Sequence, residues 1–373
     1  MANHKVKIGK GGRCGKGKGE VFRFERLSLF LRKPETRIKK TSKRKLSRKI
    51  PTFAAKRKPP MKGIVMRTTG LWCTVMDETS RQTYECRIRG NLRLRGIKST
   101  NPVAVGDRVE YTVKEGGQDG LVQEIAPRKN FIVRRSVKLS KRTHILAANI
   151  DTAFLVVTLD FPPTSTTFID RFLATARAYR IDAVLLFNKI DLYNDDDLSR
   201  VEELENLYRN IGYPTLRTSA RTGENIDQLR EKMQQRTTMF SGHSGSGKSS
   251  LVNAVESTLN LKTAEISTVH HQGQHTTTFA QMFPLSFGGY VVDTPGIRGF
   301  GLVDMDPHEV GDYFPEIFAL KGDCRFHDCL HTDEPDCAVV RAVEQGRIAP
   351  SRYMSYLGIL SEDDGPYRED PYK

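Results

Sequence analysis

Gly242-His243-Ser244-Gly245-Ser246-Gly247-Lys248-Ser249 fits the pattern G-x-x-x-x-G-K-[ST]. A strand is predicted before it, over Thr238–Phe240, and a helix after it, over Lys248–Leu259. That context gives the pattern its meaning. Glycines let backbone N–H groups wrap a phosphate, and the following helix N-terminus adds partial positive charge. Lys248 is positioned to reach the β- and γ-phosphates, Ser249 to ligate Mg²⁺, and Ser250 to extend the cradle. Working outward, strands at Ala153–Thr158, Ala183–Phe187, Thr215–Thr218 and Tyr290–Val292 alternate with helical spacing at Ile169–Tyr179, Leu198–Tyr208 and Ile226–Met233. This rhythm predicts an α/β domain with a mostly parallel sheet covered on both faces, over residues 149–303.

Three more motifs fall at predicted strand ends. Asn188-Lys189-Ile190-Asp191 closes the apolar strand Ala183–Phe187. A carboxylate at Asp191 can accept from both N1–H and the 2-amino group of guanine, and adenine offers neither donor pair. Asn188 can hold neighbouring loops, and the Lys189 stem can cover a base face. Thr218-Ser219-Ala220, at the end of another predicted strand, resembles the backbone segment that contacts the guanine oxygen in GTPases. Asp293-Thr294-Pro295-Gly296 places a carboxylate for a Mg²⁺-bound water and a Gly296 N–H facing the γ-phosphate. Thr276-Thr277-Thr278 is a switch segment, with Thr277 completing the Mg²⁺ shell. These residues resemble a GTPase of the translation-factor-related class, in an altered order. Familiar GTPases begin with the P-loop; here N-K-x-D and S-A precede it. The domain is a circular permutation, which sheet packing permits where the old termini can be joined.

The 373 residues carry 59 Lys+Arg and 44 Asp+Glu. Residues 1–60 hold 21 of the basic residues and 3 acids, so the rest of the chain is slightly acidic. Such an arm cannot bury apolar surface apart from Val21–Leu31, which has the spacing of a short amphipathic helix. Two further readings stand for it: an Arg-rich transit peptide, or an extension upstream of a true start at Met61. Residues 61–125 show short alternating strands at Gly63–Arg67, Leu71–Met76, Thr83–Arg89, Val103–Val113 and Leu121–Ile125, predicting an OB-type β-barrel. Residues 126–148 read as a basic linker, with seven basic residues and no acid between Arg128 and Arg142. The uneven charge points to a polyanion, nucleic acid before membrane. No apolar run approaches the roughly 18 residues needed to span a bilayer, and six Cys are too few for a disulfide scaffold.

From residue 304 to 373 the pattern is mainly helical and bears Cys324-x₄-Cys329-x-His331-x₅-Cys337. Three thiols and an imidazole within 14 residues suit one closed, tetrahedral and therefore structural zinc. His327 is a rival nitrogen ligand, and Asp323 and Asp328 lie close by. Cys14, Cys73 and Cys86 read as ordinary thiols.

A basic β-barrel, a permuted GTPase domain and a Cys/His-bearing helical segment together resemble the ribosome small-subunit-dependent GTPase A family. The resemblance covers Met61 to Ser361, and Gly273-Gln274-His275-Thr276-Thr277-Thr278 matches its switch pattern. It implies late maturation of the small ribosomal subunit, rRNA contact, slow GTP hydrolysis stimulated by that subunit, and release of another assembly factor. It also implies a cytoplasmic monomer that uses GTP/GDP with Mg²⁺. A permuted GTPase acting on the large subunit and an RNA-binding module using GTP only as a clamp are the alternatives. Many GTPases orient the attacking water with a Gln after D-x-x-G. Ile297 stands there instead, so hydrolysis is expected to be slow, with His275 the candidate to supply the missing group.

No nucleotide motif lies before Met61. A chain beginning at Met61 should therefore fold and hydrolyse GTP at the full-length rate. Its affinity for ribosomal particles should be less salt-sensitive, since each phosphate contact adds nearly one unit of log–log slope. Loss of soluble folded protein on truncation would make the arm part of the fold.

Overall fold

The computed structural model describes residues 59–88, 102–113, 117, 119–135, 143–261, 280–293 and 306–361. The basic arm before Pro59, the switch residues His275 and Thr276–Thr278, Gly296 and Ile297 lie outside the described residues.

Five strands form the first layer of the fold: β1 (Met61–Thr69), β2 (Trp72–Asp77), β3 (Thr83–Ile88), β4 (Arg108–Val113) and β5 (Asp119–Ile125). Their order is β1-β2-β3-β5-β4, and β4 returns to pair with β1, closing a barrel. All pairs are antiparallel except β3 with β5. Alternation decides which residues fill it: Val65, Val75, Cys86, Val109, Tyr111 and Val122 pack inside. A register shift between Val65 and Arg67 lets β1 bury both faces. Val65 points into the barrel, while Ile64 and Met66 join the core of the next domain. The strand expected from Val103 starts only at Arg108, because Gly106 (φ +86°) and the buried Asp107 turn the chain. Asp107 accepts from the Ala104 N–H at 2.8 Å and from Arg128 Nε and Nη2, each at 2.6 Å.

The stretch expected as a basic linker carries a hairpin, β6 (Phe131–Arg135) with β7 (Thr143–Ala148). Ile132, Ile145, Ala147 and Ala148 are buried, so an apolar pattern interleaved with the charges folds it down.

The second sheet contains β8 (Thr152–Val157), β9 (Asp182–Asn188), β10 (Thr215–Thr218), β11 (Thr237–Ser241), β12 (Gln281–Pro284) and β13 (Tyr290–Asp293). The order is β10-β9-β8-β11-β13-β12, parallel except for β12. The sequence pattern did not reveal β12, which is four residues long and meets β1 through Arg67 and Gln281. One sheet face packs α1 (Thr166–Ala178) and α2 (Asp195–Asn210) around Leu155, Val157 and Phe172. The other packs α3 (Ile226–Met233) and α4 (Lys248–Val255) around Phe154, Val156 and Leu251. The helix expected through Leu259 stops at Val255, where Glu256 leaves helical geometry. Its buried carboxylate accepts from the Ser286 N–H and the Thr258 hydroxyl, each at 2.7 Å.

The third layer holds α5 (Pro307–Val310), α6 (Pro315–Phe318), α7 (Ala338–Glu344) and α8 (Pro350–Leu360). Its core of Phe314, Ile317, Val339 and Tyr356 includes Ala174 from α1. Arg352, 1% exposed, bonds Asp170 of α1 at 2.7 Å and Glu316 of α6 at 2.6 Å. Removing one partner of such a buried pair costs roughly 3–5 kcal/mol. Among the described residues no helix is long and apolar enough to cross a membrane.

The bonds from Ser286 and Thr258 pull the Glu256 carboxyl down to about 2, from an ordinary 4.5. Its stabilising contribution, about 3 kcal/mol, is complete above pH 5 and is lost as pH falls toward 2. Glu256→Gln should lower stability at pH 7 and flatten the acid limb of a denaturation profile between pH 5 and 2. An unchanged acid limb would show that those bonds contribute nothing.

Candidate functional site

Parallel strands end at a common edge, and five of them end at this site: Val157, Asn188, Thr218, Ser241 and Asp293 close β8, β9, β10, β11 and β13. Ligands in open α/β sheets bind in the crevice outside such ends. The chain from Ser241 makes the P-loop, and Gly247 begins α4 with φ +99°. Two glycines are required sterically. A Cβ at Gly242 would stand 2.6 Å from the Val156 carbonyl oxygen, and one at Gly247 would stand 2.3 Å from Asn188 Nδ2. Lys248 Nζ donates to the carbonyls of Gly242, at 2.8 Å, and His243, at 2.5 Å, so its ammonium lies along the loop. Ser249 and Ser250 occupy the first turn of α4, half-buried.

Asn188 is 1% exposed and joins the ends of β9 and β10 to the P-loop. Its Nδ2 donates to the Ser246 carbonyl at 2.9 Å, and its Oδ1 accepts from the Thr218 hydroxyl at 3.2 Å. Asp191 sits on the short turn after Lys189. Its Oδ1 accepts from the Ser219 hydroxyl and its Oδ2 from Arg221 Nε at 2.7 Å. Burial works against ionisation there, but the Ser219 and Arg221 bonds outweigh it and hold the carboxyl below its usual range. The group is thus an anion with two acceptor oxygens. Lys189, at φ +66°, donates to the Phe161 carbonyl, and burial lowers its pKa. Ala220 follows Ser219, half-buried. Asp293 lies exposed at the end of β13, one residue past Val292, which pairs with Met239 of β11. Ser249 and Asp293 offer the oxygen ligands that a hard divalent cation takes.

Sequence reasoning missed three contributors. Arg221 buttresses Asp191. Tyr193 donates to the Asn188 carbonyl at 3.1 Å. Phe168 of α1 stacks on His243, with ring centroids 4.2 Å apart. Arg221 stands two residues from Ser219 and was within reach of inference; no local pattern points to Tyr193 or Phe168.

A second site lies in the third layer. Cys324, Cys329, His331 and Cys337 present ligand atoms all within 4.8 Å of one another, and His327 is not among them. Cys324 Sγ and Cys337 Sγ are 3.9 Å apart, and each stands 3.5 Å from His331 Nδ1. A tetrahedral zinc with bonds of about 2.3 Å to sulfur and 2.0–2.1 Å to nitrogen separates sulfurs by roughly 3.8 Å and sulfur from nitrogen by roughly 3.5 Å. The donor set fits that ion. Burial and the neighbouring thiols push Cys329 up to about 12, a preference that a dication reverses. Tyr353 and Tyr356 of α8 donate to the carbonyls of His331 and Leu330, each at 2.7 Å, fixing the ligand loop.

Family models for the RsgA GTPase and the RsgA N-terminal domain match residues 125–303 and 62–122. The chain belongs to the RsgA family of GTPases. A relative from Christiangramia forsetii, named small ribosomal subunit biogenesis GTPase RsgA, is 56% identical over 84% of this chain and 100% of its own length. One of the same name from Bacteroides fragilis is 53% identical over 83% of this chain and 99% of its own. The crystal structure of YjeQ from Thermotoga maritima aligns with a TM-score of 0.67 at 39% identity, covering 82% of this chain and all of that one. YloQ, described as a circularly permuted GTPase, aligns at 0.66 and 29% identity, covering 84% and 99%. This chain shares the fold of those two structures.

Asp191→Asn exchanges one acceptor for a donor. GTP affinity should fall and xanthosine triphosphate, whose exocyclic oxygen pairs with the amide, should gain, read by competition against a fluorescent nucleotide. Unchanged GTP preference would remove Asp191 from base recognition. Cys329→Ser should lose about one metal per chain by elemental analysis and destabilise the third layer, while the P-loop still takes GTP. Wild-type protein purified without chelators and found metal-free would overturn that assignment.

Proposed function

We propose that this chain assists late maturation of the small ribosomal subunit, hydrolysing GTP slowly alone and faster when docked on the subunit. The observation that carries this is the near-full-length similarity to proteins named for small-subunit biogenesis. The barrel, permuted nucleotide site and Cys/His cluster, all within residues 57–373, support it. In the mechanism, P-loop N–H groups and the α4 N-terminus hold the phosphates, and Lys248 stabilises charge developing on the β–γ bridge. Asp191 selects guanine. Mg²⁺, held by Ser249, Thr277 and Asp293, would neutralise phosphate charge. Gly296 would present its N–H to the γ-phosphate. Ile297 has no group to orient water, so subunit docking brings His275 to that task.

Zinc held by Cys324, Cys329, His331 and Cys337 would stiffen the third layer for binding. Contact with rRNA is favoured by the arm's charge and by the barrel. There Trp72, 42% exposed, pairs across strands with exposed Arg87, a stacking surface beside a phosphate ligand. The protein acts as a monomer in the cytoplasm, and hydrolysis releases an assembly factor.

Multiple-turnover hydrolysis with each purified subunit tests this. The small subunit should raise the rate at least about tenfold and the large subunit should not. Stimulation by the large subunit alone, or by neither, would refute the proposal. His275→Ala should lose most of the stimulated rate and keep GTP affinity.

A further inference from the structure

The first turns of α1 face two ways. Phe168, half-buried, stacks on His243 of the P-loop, with rings 30° from parallel. Asp170, two residues on and fully buried, turns toward the third layer. There it accepts from Arg352 Nη1 at 2.7 Å and from the Tyr208 hydroxyl at 2.8 Å. Arg352 also bonds Glu316 and lies over the Phe314 ring, 4.6 Å from its centroid. Tyr353, next to Arg352 on α8, and Tyr356, one turn on, hold the carbonyls of His331 and Leu330, inside the Cys/His cluster. P-loop, α1, α8 and metal-ligand loop therefore form one contiguous chain of rigid elements and buried polar bonds.

The nucleotide-sensitive end of that chain is the His243 peptide. Its carbonyl accepts from Lys248 Nζ, the same ammonium that phosphate oxygens engage. Nucleotide therefore pulls on the peptide whose side chain rests on Phe168. Burial and then Lys248 lower the imidazole's pKa.

We propose that Phe168 and Asp170 of α1, with Arg352 of α8, are positioning residues that make the setting of the Cys/His loop depend on P-loop occupancy. This rests on the P-loop being a guanine-nucleotide site. By linkage, whatever grips the third layer then alters nucleotide affinity by the same factor. The fully buried Arg352–Asp170 pair suits this role, because a packed core shifts as a unit and does not deform gradually.

Hydrogen exchange on the full chain tests it, with no nucleotide, with GDP and with a non-hydrolysable GTP analogue, binding being measured separately. Nucleotide should change exchange in residues 350–360 and 330–332 at least about threefold. At saturating nucleotide, Phe168→Leu should fold yet lose that response, whereas Phe168→Tyr, which keeps the stack, should retain it. Asp170→Asn, where it folds, should behave like Phe168→Leu. Wild-type protein that binds nucleotide with unchanged exchange in α8 overturns the coupling and leaves the nucleotide site standing. A Phe168→Leu protein that responds like wild type also overturns it. Absence of nucleotide binding removes both.

Discussion

Two hydrogen bonds at one buried amide hold the nucleotide site together. Asn188 receives the Thr218 hydroxyl and gives its Nδ2 to the Ser246 carbonyl, so β9, β10 and the P-loop share one side chain. Asn188 stands 58 residues before Ser246 in this chain, and no local turn could set their spacing. Burial makes the bonds matter, because an unpaired amide there would cost its full desolvation. Gly247 leaves no room for a side chain against Asn188, so the approach is steric as well as polar.

Around that centre the two flanking layers attach by different physics. The barrel docks through apolar surface: the bulged β1 sends Val65 inward and Ile64 and Met66 outward, where they join the core under the parallel sheet. The third layer docks through Ala174 and a buried arginine shared between two carboxylates. Apolar contact tolerates small sliding, whereas a fixed guanidinium fork does not.

Much of this was legible in the sequence. The barrel follows from period-two alternation, the parallel sheet from the βαβ rhythm, and the permutation from the order of Asn188, Lys248 and Asp293. The Cys/His spacing named the four groups that the fold brings together. What stayed hidden is tertiary. The hairpin of β6 and β7 was masked by surrounding charge, and β12 is too short to show a period. Arg352 looks like any surface arginine of an amphipathic helix, and only packing against Asp170, Glu316 and Phe314 reveals it as core. Phe168 reads as an ordinary apolar helix position until the P-loop is laid beside it.

The closed barrel and its junction with the second sheet bear on solubility. Unpaired strand edges template aggregation. In the barrel, β4 returns to β1 and leaves no such edge, while the start of β12 is met by β1. What remains among the described residues is β10, four residues long, and the hairpin of β6 and β7, where Val105 bridges Ala147. Each of these strands thus offers a second copy of the chain only four to six residues of backbone to pair with.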